Sequence, residues 1–335
     1  MLNGANVLVT GGTGSFGKKF INMALDRYDL ERLIIYSRDE FKQSELKQNL
    51  KIKLSPEKFK KLRFFIGDVR DKERLLRAFK GVDYVIHAAA MKQITTCEYN
   101  PFEAIKTNIH GAQNVIDAAI DRDVKKVVAL STDKAVNPIN LYGGTKLVSD
   151  KLFISANAYS GGNGTIFSIV RYGNVAGSRG SVIPFFKKMV EDGVNELPIT
   201  DFNMTRFWIT LEEGVELVFK ALSESKGGET YISKIPSFKI TDLAYAIKDN
   251  IKLKEIGIRE GEKIDEVMIT KDDWKNTYEY EKHYIIYPSF EWWSKKNFTN
   301  GGIQIAKDFE YNSGNNKEWL SVADLKKALI TLEKY

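Results

Sequence analysis

Short apolar runs alternate with longer amphipathic stretches through the first half of the chain. Val7–Thr10, Arg32–Tyr36, Leu62–Ile66, Asp83–His87, Val124–Leu130 and Ile166–Arg171 are short and apolar, which reads as buried strands. Helical spacing fills the intervals between several of them: a stretch ending at Leu25, Phe102–Ala119, and the residues after Tyr142. Strands alternating with helices over this length predict an α/β fold with a parallel sheet and crossover helices. After Tyr172 the rhythm changes. Loops carrying glycine and arginine come first, then an aromatic-rich segment from Thr270 with Trp274, Tyr278, Tyr280, Tyr284, Tyr287, Trp292 and Trp293. No helical spacing among these aromatics singles out a ligand face, so they read as packing or subunit contacts. There is no internal repeat and no low-complexity segment.

Composition narrows the class. With 335 residues, 43% hydrophobic and 28% charged, the chain has room for one large α/β domain and a smaller one. No run approaches the length of a membrane span, and the first residues pass directly into a strand pattern without a leader. A single cysteine, Cys97, excludes an internal disulfide and suits a reducing compartment, so a cytoplasmic location is expected. The net charge of +6 is concentrated between Lys42 and Arg63. Aromatic residues are not regularly interleaved there and no nucleic-acid motif is present, so this reads as a solvated surface. Small phosphorylated ligands are the expected anions, and no metal site is expected.

Two motifs carry the candidate chemistry. Gly11-Gly12-Thr13-Gly14-Ser15-Phe16-Gly17 follows the first strand and opens a helix, the context of a dinucleotide-binding turn. It makes the expected fold a Rossmann-type doubly wound parallel sheet with a smaller C-terminal substrate-binding domain. Residues 1–175 are expected to form the dinucleotide domain, with about 205–235 returning to it. Residues 176–270 would form the substrate domain and 271–335 an extension for packing or oligomer contacts. Counting on from Gly17 reaches Ser37 and Arg38 where an NAD site usually places an acid. A hydroxyl and a guanidinium suit a 2′-phosphate, which favours NADP, although Asp39 and Glu40 follow closely and could bind a ribose diol. Asp68 could bond an adenine amine or cap a helix, and Ala88, Ala89 and Ala90 would let a cofactor lie against the backbone.

The second motif is Ser131–Lys146, STDKAVNPINLYGGTK, at the expected carboxyl end of a parallel strand. Tyr142 and Lys146 are four apart on a helix, so the ammonium can reach the phenol and lower its pKa from the reference value of about 10. Thr132, Asp133 and Lys134 stand just upstream. Arg179, Arg206 and Arg259 sit in expected loops, Arg179 and Arg259 beside glycines, a suitable way to hold a diphosphate with bidentate donors.

TGGTGSFG, the Tyr142/Lys146 pair and the long C-terminal part resemble the extended short-chain dehydrogenase/reductases that act on nucleotide sugars. More narrowly, IYSRDE, FFIGDVRD, HAAAMKQ, STDKAVNPINLYGGTK, RYGNVAGSRGSVIPFF, MTRFWIT and GIREGEK resemble the inverting UDP-N-acetylglucosamine 4,6-dehydratases of pseudaminic acid biosynthesis, almost end to end. Gln93, Glu260 and Asp265 depart from that pattern. The resemblance implies an NADP site including Gly11, Thr13, Gly14, Ser15, Phe16, Gly17, Ser37, Arg38, Lys42, Asp68, Val69, Ala88, Ala89, Ala90, Lys92, Asn108, Tyr142, Lys146 and Tyr172. It implies a UDP-sugar site including Lys92, Thr132, Asn174, Arg179, Ser181, Val182, Pro184, Arg206, Arg259 and Glu262. A homo-oligomer, dimer or hexamer, is also implied.

The implied mechanism has Tyr142 and Lys146 take the proton of the sugar 4-hydroxyl while the C4 hydride leaves. Thr132 would hydrogen-bond the 4-oxygen. Lys134, provided burial keeps it neutral, would remove the C5 proton, and a protonated Asp133 would donate to the departing C6 hydroxyl. Two related reactions remain open, a C5-retaining dehydratase and a 4-epimerase. A third possibility is a catalytically silent NADP-sensing protein. Epimerases of this superfamily lack the acid and base before the tyrosine, retaining dehydratases usually place Glu where Lys134 stands, and a silent protein should have lost Tyr142 or Lys146.

Overall fold

The computed structural model describes residues 1–161, 164–178, 180–290, 293, 299 and 301–333. Six strands alternate with helices first: β1 (Asn6–Thr10), β2 (Arg32–Ser37), β3 (Leu62–Ile66), β4 (Tyr84–His87), β5 (Lys126–Thr132) and β6 (Ile166–Tyr172). After them come β7 (Glu196–Ile199), β8 (Thr205–Phe207), β9 (Thr230–Ser233), β10 (Ser237–Lys239), β11 (Lys252–Glu255) and β12 (Val267–Ile269). The last four are β13 (Thr277–Glu279), β14 (His283–Ile286), β15 (Ile303–Gln304) and β16 (Tyr311–Asn312). The large sheet runs β15-β13-β14-β9-β6-β5-β4-β1-β2-β3 and is parallel from β9 through to β3. The order reverses beside β1, so the carboxyl ends of β1 and β4 open a crevice there.

Burial explains the sheet. Val7, Val9, Leu33, Ile35, Val127 and Val128 are fully inaccessible, as strands covered by helices on both faces require. The Ser15–Arg27 helix buries Gly17, Phe20, Ile21, Ala24 and Leu25, one face of a 3.6-residue period. The segment expected as a single helix over 102–119 is instead interrupted by a π turn at Lys106–His110. Within it the Asn108 amide both accepts from the Met91 backbone N–H at 2.8 Å and donates to the Met91 carbonyl at 2.9 Å.

The tail is part of the sheet. β14 pairs antiparallel with β9, and β13 and β15 follow it outward. Tyr284, Tyr287, Trp293 and Tyr311 are buried in the main core, while Trp292 lies outside the described residues. A second apolar cluster joins Ile183, Phe186, Leu197, Trp208 and Phe238 to Leu325 and Leu329 of the C-terminal helix. Residues 176–270 therefore share a core with the last helix, while the 205–235 segment contributes β9 to the large sheet. Among the described residues, no helix is long and apolar enough to cross a membrane, and no cluster of His, Cys, Asp or Glu could hold a metal ion.

Close packing at the glycine turn gives a direct test. A Cβ on Gly17 would lie 2.5 Å from the Gly12 Cα, against backbone that cannot move aside. Gly17→Ala should therefore destabilise the fold by about 1–3 kcal/mol. Denaturant melts of the two proteins measure this, and equal midpoints would show that the turn relaxes freely.

Candidate functional site

A cleft of about 1350 Å³ runs along the carboxyl ends of the parallel strands. One end is built by the glycine turn. Gly11 has a φ of +66°, and a Cβ there would come 2.9 Å from the Ala88 carbonyl oxygen, so only glycine fits. The helix that follows has no acidic residue in its first turn and no side-chain cap, which leaves its N–H groups for an anion. Thr10, the first residue of TGGTGSFG, fixes the opposite wall. Its hydroxyl accepts from the Ala88 and Ala89 N–H groups at 3.1 and 3.2 Å and meets His87 Nδ1 at 3.0 Å. Burial, with the Lys146 charge, pushes His87 down to about 3, so the ring is neutral and its Nδ1 accepts the threonine proton. Thr13, Gly14, Ser15, Phe16, Val69, Ala90 and Tyr172 also line this end, and Phe16 stacks on Tyr172.

The ribose-reading corner is more specific than the sequence implied. Ser37 is buried and its hydroxyl accepts from Gln43. Asp39 caps the next helix and pairs with Lys42 at 2.6 Å, so neither group is free for a diol. The Asp68 carboxylate is clasped by Arg70 at 2.7 and 3.0 Å. The Arg38 side chain is 61% exposed and only 3.9 Å from Asp68, which leaves it able to turn to a ligand. Asn108 does not line the cleft; its side chain braces the Met91 loop and Thr145.

At the middle of the cleft, β5 ends in a turn of 3₁₀ helix, Asp133–Ala135, and Asn140 caps the Leu141–Ala156 helix that carries Tyr142 and Lys146. Asp133 is 0% exposed and lies behind the cleft wall; its Oδ1 accepts from the Thr132 hydroxyl at 2.9 Å and from Lys134 at 3.1 Å. The Lys134 ammonium also donates to Asn174 at 3.0 Å and pairs with Glu266 at 2.9 Å. Glu266 is 2% exposed and faces Arg206 at 3.7 Å. Burial and then the Glu266 charge push the Asp133 carboxyl up, so it tends to hold a proton. Burial lowers Lys134, but Asp133 and Glu266 outweigh it and raise its pKa. The proviso that burial keeps Lys134 neutral is thereby not met: the acidic pair Asp133 and Glu266 favours its ammonium form.

The tyrosine also differs from expectation. Burial pushes the Tyr142 phenol up to about 12, and the cation that pulls it back is Lys134, together with a Thr132 hydrogen bond. Lys146 is itself lowered by burial, against an opposing pull from Asp150 on the next turn. Lys146 therefore does not dominate the phenol as the four-residue spacing suggested.

The far end carries the remaining substrate candidates. Ser181, Val182, Pro184, Arg259 and Glu262 line it, with Arg259 55% exposed and 3.9 Å from Glu262. Lys92 also lines the cleft, its pKa lowered by burial and then by Lys134. Arg179 lies outside the described residues. Arg206 is not in a loop; it sits on β8, buried, donating to the Thr205 and Ile264 carbonyls at 2.6 and 3.0 Å. Of the three departures, Gln93 and Glu260 line the cleft and Asp265 accepts from Thr205 at 2.5 Å. Sequence reasoning missed Glu266 and Lys263, which donates to the Val136 carbonyl at 2.7 Å. No local signal marks either one, because Lys134 and Val136, the partners that bring them to the site, lie more than a hundred residues away.

The cluster predicts its own titration. Lys134→Ala leaves two buried carboxyls with weaker compensation, a cost of about 3–5 kcal/mol at neutral pH. Their pKa values in the folded variant then rise above the unfolded ones, so the stability is present at low pH and lost as pH rises. Melts at about pH 5 and about pH 8 should show the larger deficit at the higher pH. An equal deficit at both would mean the carboxyls are not compensated by Lys134.

Comparison with known proteins places the chain. The model of a family described as "Polysaccharide biosynthesis protein" matches residues 7–288. A Campylobacter jejuni protein named UDP-N-acetylglucosamine 4,6-dehydratase (inverting) is 54% identical, over 97% of this chain and 97% of its own length. A Rickettsia akari protein named UDP-glucose 4-epimerase is 40% identical over 98% of this chain and 96% of its own length. Among solved structures, the X-ray structure of Pen from Bacillus thuringiensis superposes with a TM-score of 0.87 at 38% identity, covering 98% of this chain and 99% of that one. By this match along most of its length, the chain belongs to the polysaccharide biosynthesis protein family, as a relative of the inverting UDP-N-acetylglucosamine 4,6-dehydratases.

Proposed function

We propose that the protein is an NADP-dependent UDP-N-acetylglucosamine 4,6-dehydratase that inverts C5. Its product would be UDP-2-acetamido-2,6-dideoxy-β-L-arabino-hex-4-ulose, the first intermediate of pseudaminic acid biosynthesis. One observation carries the reading. A dinucleotide turn and the Tyr142 phenol share a cleft with Lys134, and a buried acid, Asp133, lies 3.1 Å from that lysine behind the wall. An epimerase needs only the first set, because it exchanges a hydride at C4 and breaks no C–O bond. Elimination across C5 and C6 needs the second.

In this reading the cofactor is a nicotinamide dinucleotide, held by the turn from Gly11 to Gly17 and by Ala88–Ala90. Tyr142 takes the 4-hydroxyl proton as the hydride leaves C4, and Thr132 bonds the 4-oxygen. The 4-ketone acidifies C5–H. Lys134 removes that proton once its own has passed to the Glu266 carboxylate at 2.9 Å. Asp133 supplies the proton that leaves with the C6 hydroxyl as water, through Lys134 or Thr132, each one hydrogen bond away. The hydride returns to C6 and a proton reaches the other face of C5. Redox balances, and the net change is loss of water. Arg259 and Glu262 bind the diphosphate and the uridine ribose. The protein acts in the cytoplasm as a homo-oligomer, dimer or hexamer; exposed Tyr99, Phe102 and Val148 near the Leu141–Ala156 helix support an association surface.

The choice of NADP rests on Arg38, left exposed while Asp39 is used as a helix cap. Arg38→Ala should weaken NADP binding by roughly 1.5–3 kcal/mol and leave NAD binding nearly unchanged. Equal losses in titrations with the two cofactors would remove the basis for the choice. The reaction itself is tested by NMR of UDP-N-acetylglucosamine incubated with the protein in deuterated water. A 4-keto-6-deoxy product with deuterium at an inverted C5 is expected. A product with C5 retained, or UDP-N-acetylgalactosamine, would replace this reading by one of its relatives. A bound cofactor with no turnover on any UDP-sugar would replace it by a binding protein.

A further inference from the structure

Two buried carboxyls meet Lys134 at the cleft wall, and their proton count decides whether an acid is available. Asp133 Oδ1 and Glu266 Oε1 lie 3.1 and 2.9 Å from the ammonium. Each carboxyl has a second, buried oxygen without a hydrogen-bond partner, Asp133 Oδ2 and Glu266 Oε2. Two carboxylates with two orphaned oxygens beside one lysine cannot both stay ionised at low cost. Arg206, at 3.7 Å, leans on Glu266 and not on Asp133. Glu266 is also fixed from behind: its N–H donates to the Ser313 hydroxyl at 2.9 Å, and the Ser313 N–H donates to its carbonyl at 2.8 Å.

We propose that Glu266 is a positioning residue: it carries the cluster's negative charge against Lys134 and so leaves the proton on Asp133. The proposal rests on the reading above, in which Asp133 supplies the proton for departure of the C6 hydroxyl. The groups facing Asp133 are Lys134 and Thr132 on its own turn, Tyr142 on the following helix, and Lys263 and Glu266 before β12, with Arg206 on β8 beside Glu266. Of these, Glu266 is the one acid, and it repels a second negative charge at Asp133. Without Glu266, Lys134 must take Asp133 as its counter-ion, and the proton is lost from the acid.

The test compares parent, Glu266→Gln, Glu266→Asp and Asp133→Asn with UDP-N-acetylglucosamine and NADP. C4 oxidation is read as nicotinamide absorbance at stoichiometric enzyme, and dehydration as product formed across a range of pH. In the parent, dehydration falls as pH rises through the raised pKa of Asp133. In Glu266→Gln that limb should move to lower pH, with C4 oxidation retained and dehydration at neutral pH reduced by about 10²–10⁴-fold. Glu266→Asp restores the charge at a longer reach, so its limb should lie between the two. Should Glu266→Gln not fold, Glu266→Asp carries the test by the same displacement. In an Asp133→Asn background, Glu266→Gln should add nothing further. An unmoved limb in an active variant, or an additive loss in the double variant, overturns the role of Glu266 alone. A parent that forms no product overturns this inference together with the reading it rests on.

Discussion

The site depends on a lysine held between two carboxyls that water does not reach. Charges at about 3 Å attract far more strongly in a poorly polarisable interior than at a surface, and removing any one of them is correspondingly costly. Lys134 therefore cannot be understood from its own residue type. Its neighbours Asp133 and Glu266 set its charge, and it sets theirs. The cleft wall presents Lys134, Thr132 and Glu266, with Asp133 one hydrogen bond behind. In the proposed reaction this arrangement would store a proton near the reacting carbon while keeping the acid out of solvent.

The rest of the fold brings these groups together from distant parts of the chain. β5 delivers Thr132 and Asp133 to the carboxyl edge of the sheet, and β8 brings Arg206 beneath them. β12 begins just after Glu266 and pairs with β16, whose neighbour Ser313 bonds the Glu266 backbone in both directions. The residues after Thr270 thus do two jobs. They extend the large sheet through β13–β15, and they hold one carboxylate of the site in place.

The sheet was legible because strand and helix periodicities are local, and the six strands appear within a residue or two of where the apolar runs put them. The glycine turn was legible for the same reason, since backbone freedom at Gly11 and close packing at Gly17 are written in adjacent residues. What failed was electrostatic. Lys134 would be neutral if burial alone decided its charge, but the adjacent Asp133 and the sequence-distant Glu266 together reverse the sign. Tyr142 and Lys146 stand at the anticipated spacing, yet burial raises the phenol and the cation that opposes it is Lys134. Arg206 and Asn108 were recognised as polar residues near a site, but their side chains are used on backbone carbonyls and amides that no pattern announces.

The central claim is that Asp133 is protonated and Glu266 ionised in the resting enzyme. Infrared difference spectra between the parent and Asp133→Asn, and between the parent and Glu266→Gln, at neutral pH read this directly. A protonated-carboxyl band lost only with Asp133, and a carboxylate band lost only with Glu266, is the predicted result. A carboxylate band assigned to Asp133 would contradict the account.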